Sequence, residues 1–71
     1  MKLNKDTRSL VKVGTVLNDG SWDAEVLSIT QSGRHGRGLS VTIRNLTGNL
    51  KGWIAYGVPM SELYGCEIKE A

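Results

Sequence analysis

No stretch of this chain holds the period of about 3.6 residues that an amphipathic helix needs over several turns. Apolar residues alternate with polar ones in short runs instead, and glycine, asparagine and aspartate separate the runs. Leu39-Ser40-Val41-Thr42-Ile43-Arg44 is the clearest of them. Leu39, Val41 and Ile43 share one side and Ser40, Thr42 and Arg44 the other, the pattern of a strand with one buried face. The chain is therefore read as all-β.

The runs come in a definite order. Leu10 to Leu17 is rich in valine, with Val11 and Val13 expected on one face. Asn18-Asp19-Gly20-Ser21 is a turn signal, because short polar side chains and glycine satisfy a reversing backbone. Trp22 to Val26 alternates with Trp22, Ala24 and Val26 inward, and the phase shifts at Val26-Leu27, as a bulge requires. Leu39–Arg44 follows a glycine-rich loop, and Asn45 to Asn49 closes a tight hairpin into a fourth strand over 50–57. On that strand Ile54 is expected inward and Trp53 outward beside Lys51. Pro59 to Tyr64 reads as one helical turn, with Pro59 suited to its first position and Gly65 to its stop. Cys66 to Lys69 is a fifth strand. Residues 1–9 read as a flexible basic arm, and residues 10–71 as a single domain.

This order of elements resembles the SH3-like small barrels, including the KOW and Tudor types, over roughly residues 10–70. Gly52-Trp53-Ile54 and Pro59 through Tyr64 carry the resemblance best. It implies a five-stranded barrel with one helical turn before the last strand. A true SH3 peptide-gripping loop has no counterpart, since the first turn, residues 18–21, is short. A five-stranded OB-fold would place its helix between the third and fourth strands, where the Thr47-Gly48-Asn49 link leaves no room.

A chain of 71 residues has one small core, which rarely supplies more than about 3–5 kcal/mol of net stability. Cys66 is the only cysteine and His35 the only histidine, so neither an internal disulfide nor a structural zinc site can supplement it. The core must be economical, or the chain pairs with a copy of itself through an exposed strand edge. A free thiol and a start without an apolar stretch behind its charges point to the cytoplasm. No run is long enough to span a membrane.

The chemistry follows from what is present. With one histidine and one cysteine far apart in sequence, and carboxylates Asp19, Asp23 and Glu25 that read as solubilising surface groups, the chain is expected not to be an enzyme and to need no cofactor or metal. The net charge of +2 is unevenly spread: residues 1–53 balance to +4 and residues 54–71 to −2. The loop Gly33-Arg34-His35-Gly36-Arg37-Gly38 packs two arginines and the histidine between flexible glycines. It matches neither a Walker loop, which needs Lys-Ser/Thr at a helix start, nor a dinucleotide fingerprint, since a strand follows it. What remains is electrostatic: each arginine can clamp a phosphate or a carboxylate in two-pronged fashion.

Arg34, His35, Arg37, Arg44, Lys51 and Trp53 are accordingly the candidate binding residues. With a nucleic acid, the cations would hold phosphates and Trp53 would stack on a base. With an acidic protein surface, the same cations would read carboxylates and Trp53 would anchor the interface. Nucleic acid is the expectation. The alternative is a small inhibitor or adaptor docking on a larger protein, the kind of regulator that bacteriophages and mobile elements encode.

Overall fold

The computed structural model describes residues 1–32 and 38–70. Its five strands are β1 (Val16–Asn18), β2 (Asp23–Ser32), β3 (Gly38–Asn45), β4 (Ile54–Pro59) and β5 (Glu67–Glu70), and a 3-10 turn, Met60–Leu63, stands between the last two. A second 3-10 turn, Arg8–Leu10, precedes β1. All pairings are antiparallel and join into one sheet in the order β4-β3-β2-β1-β5. The fold class is thus all-β, as the alternation implies. The sheet is open: among the described residues no ladder joins β4 to β5, so each is an edge.

The β2–β3 ladder forms the spine, running from Ala24↔Asn45 to Ser32↔Gly38. Val26 and Ile43 face each other on its buried side, as do Ile29 and Val41 further along. Between Val26 and Ser28 the register slips by one residue, which is the bulge that the phase shift at Val26-Leu27 announces. The core gathers Leu17 from β1, Ala24 and Val26 from β2, and Val41 and Ile43 from β3. Met60 and Leu63 of the 3-10 turn, Val11 and Cys66 complete it with Leu3. Trp22 packs half-buried against this cluster.

Three expectations are corrected. The first strand does not begin at Leu10: Arg8–Leu10 is a 3-10 turn, and a further turn at Val13-Gly14 sends Val13 into solvent while Val11 stays buried. Local backbone bonds, such as Val11 N–H to the Arg8 carbonyl and Thr15 N–H to Lys12, outcompete the ladder there. Nor does the fourth strand begin at Leu50. Leu50 to Gly52 continue the turn, with Lys51 N–H donating to Gly48 and Trp53 N–H to Leu50. Finally, residues 1–9 are more than an arm, for Leu3 is completely buried. Its N–H donates to the Cys66 carbonyl, Gly65 N–H donates back to Leu3, and Ile68 N–H donates to Met1. One apolar side chain in a polar segment suffices to draw that segment against the sheet.

Candidate functional site

Two glycines aim the fourth strand. Gly52, at φ 88°, and Trp53 together oppose Asn45: Gly52 N–H donates to the Asn45 carbonyl, and Asn45 N–H donates to the Trp53 carbonyl. This is a glycine bulge, which needs the left-handed backbone that only glycine adopts without strain. A second register slip lies between the pairs Ile43↔Ala55 and Val41↔Val58, and Gly57 supplies the positive φ of 64° beside it. Ala55, opposite Ile43, therefore faces the core side and Ile54, opposite Arg44, faces out. The expected inward Ile54 is overturned by the bulge, which displaces the phase of the strand.

The consequence is an edge strand that buries little. Along β4 only Val58 reaches partial burial. Ile54 stays 40% exposed, Trp53 66% and Tyr56 77%, with Leu50 half-exposed nearby. On the core side, Trp22, Ile43, Asn45, Leu50 and Ala55, with the 47–49 turn, line a groove of about 480 Å³. Of these exposed residues, the sequence names Trp53 alone as a binding candidate. A legible signal existed: no charged residue occurs between Lys51 and Glu62.

Of the candidate cations, the structure describes Arg44 and Lys51. Arg44 stands on the outer face of β3, where its Nη2 donates to Glu25 Oε1 at 2.7 Å. Lys51 is exposed in the turn before β4 and makes no ion pair among the described residues. Arg34, His35 and Arg37 lie outside the described residues. The strand ends that flank them, Ser32 and Gly38, pair with each other at the opposite end of β3 from Asn45. Seven residue steps separate Gly38 from Asn45, about 23 Å of extended strand. A smaller hollow of about 220 Å³ opens at that end, lined by Arg8, Gly38, Leu39, Ser40, Pro59, Met60, Ser61 and Tyr64.

The acidic cluster and the thiol are engaged within the chain. Asp23 Oδ1 accepts from Asn18 Nδ2 at 2.6 Å and lies 3.8 Å from Lys69 Nζ, while Glu25 holds Arg44. The Cys66 thiol is buried, and burial, reinforced by the negative charge of Asp19, pushes its pKa up. A thiol held neutral in this way is a poor nucleophile. Among the described residues no helix is long and apolar enough to cross a membrane.

Compared with known proteins, the chain matches no family model, no curated protein and no solved structure.

Proposed function

We infer that this chain is a small non-enzymatic interaction module, of the SH3-like class, that docks on protein partners through the β4 edge and the turn before it. The strand order β4-β3-β2-β1-β5 and the 3-10 turn between β4 and β5 support the class. One observation supports the docking surface: an edge strand without a single charge carries Ile54 and Tyr56 in solvent, with Trp53 at its start. Edge strands left bare in this way are sites where another extended chain adds itself to the sheet. Main-chain bonds supply affinity and the aromatic side chains anchor it. The cytoplasm suits the module, since Cys66 has no partner cysteine.

The nucleic-acid reading rests on a different observation, the exposed Lys51 directly before Trp53, together with the Gly/Arg loop. It is weaker because Arg44, the one candidate arginine among the described residues, is committed to Glu25. One experiment separates the two. Random peptides are selected on the immobilised chain, and fluorescent single-stranded DNA, duplex DNA and RNA are titrated at low and physiological salt. Extended apolar peptides that lose at least about tenfold in affinity on Ile54→Lys support docking at β4. Peptide-blind protein that binds an oligonucleotide, with affinity falling steeply as salt rises, replaces it with phosphate binding.

A further inference from the structure

We propose that the β4 edge takes a second copy of this chain, the two β4 strands pairing antiparallel about a two-fold axis. The proposal rests on the docking reading above and names the occupant of that surface.

The two edges of the sheet are treated differently. At β5, Glu67 and Lys69 put charge along the strand, and the N-terminal segment lies beside it: Lys2 bridges to Glu67, and Ile68 N–H donates to the Met1 carbonyl. Charge and cover are the usual guards against edge-to-edge association. β4 lacks both. Pro59 blunts only its end, by removing one donor. At its start, the bond from Asn45 N–H to the Trp53 carbonyl makes the next pair, Arg44↔Ile54, the non-bonded one of the ladder. The N–H and carbonyl of Ile54 therefore point away from β3, toward an incoming strand.

Charge selects the partner. The neutral stretch is bounded by Lys51 on one side and Glu62 on the other. Both are exposed, and neither forms an ion pair among the described residues. An antiparallel approach of two copies brings the Lys51 end of each toward the Glu62 end of the other, so attraction replaces repulsion at both rims. A parallel approach would set lysine beside lysine. Area contributes as well: Trp53, Ile54 and Tyr56 leave on the order of 400 Å² exposed, about half of the roughly 800 Å² per partner in a standard interface. Leu50 and the strand backbone add to it.

The test is sedimentation velocity on the full chain between about 1 and 500 µM. The mass is expected to rise from one copy toward two. Tyr56→Lys, at an exposed position, is expected to weaken association at least about tenfold with the fold kept. Lys51→Glu and Glu62→Lys are each expected to weaken it about threefold, and the double swap to restore it. A single copy across the whole range, or a dimer indifferent to Tyr56→Lys, overturns the proposal. Should Tyr56→Lys not fold, the charge swap decides, and failure of the double swap to restore association overturns it. A wild-type chain that stays single yet binds selected peptides at β4 removes the second copy and leaves the docking edge. One that stays single and binds no peptide removes both.

Discussion

Leu3→Ala is the perturbation that most severely tests how this sheet is held together. Leu3 lies in a segment that composition marks as a polar arm, yet its side chain is completely buried. Removing the side chain beyond Cβ forfeits its transfer free energy and leaves a cavity that the neighbours only partly fill. Leucine-to-alanine changes in cores cost about 2–5 kcal/mol for these two reasons. Residues 1–3 are tethered mainly to Cys66–Ile68, so some collapse is possible, and a loss of about 3 kcal/mol is the working value. A domain of this size holds only about 3–5 kcal/mol in total, so the variant should be close to unfolding without denaturant. Urea titration followed by tryptophan emission reads this directly. With a slope near 1 kcal/mol per molar urea for so small a protein, the midpoint should fall by about 3 M. Leu10→Ala, at a half-exposed position, is the control and should cost no more than about 0.5 kcal/mol. A Leu3→Ala midpoint within about 0.5 M of wild type would refute the claim that the N-terminal segment is part of the core.

Three further outcomes follow from single contacts. Thr15 is completely buried, and its Oγ1 accepts from Lys12 N–H at 2.9 Å; Thr15→Val strands that donor and should cost about 1–3 kcal/mol by the same urea assay. The half-exposed Glu25–Arg44 pair should show a coupling of about 0.5 kcal/mol in a double-mutant cycle of Glu25→Gln and Arg44→Gln, diminishing in high salt. A hydrogen bond from the N-terminal ammonium, aided by its charge and by Lys2, lowers the Glu67 carboxyl below its ordinary value of 4.5. With the folded pKa below the unfolded one, its contribution is full above pH 4.5 and is lost as pH falls through the lowered value. Glu67→Gln should therefore make stability fall less steeply in that acid range, as measured by thermal melts across pH; an unchanged acid limb would contradict the assignment.

How far the sequence speaks depends on whether the deciding force is local. The alternation of Leu39, Val41 and Ile43 and the slip at Val26-Leu27 survive because one buried face imposes a period of two and a bulge breaks it. The 18–21 turn is legible because Asn18 and Asp19 satisfy their own backbone: Asn18 Oδ1 accepts from Gly20 N–H at 2.7 Å, and Asp19 Oδ1 from Ser21 N–H at 2.8 Å. Pro59 and Gly65 bracket a 3-10 turn as they should, with Pro59 one position earlier than expected, at its cap. The failures share a cause. Leu3 reaches the core only because β5 returns beside it, a contact spanning almost the whole chain. Ile54 turns outward because the bulge at Gly52-Trp53 inserts an extra residue just before it, and a single bulge moves every later side chain to the other face. Of the candidate site, Lys51 and Trp53 are exposed in the turn that precedes β4 rather than on the strand. The bare edge beside them went unread because exposure belongs to the sheet order, and no local pattern says which strand comes last.

The most direct test of the account is amide hydrogen exchange of the wild-type chain, residue by residue, in dilute and in concentrated solution and with a selected peptide. Fast exchange is expected at Ile54 in dilute solution beside protected amides at Leu3 and Ile68. Protection at Ile54 and Tyr56 should then rise at least about tenfold on concentration or peptide addition, with β5 unchanged. Exchange along β4 that neither treatment alters, while protection rises elsewhere on the chain, would contradict it.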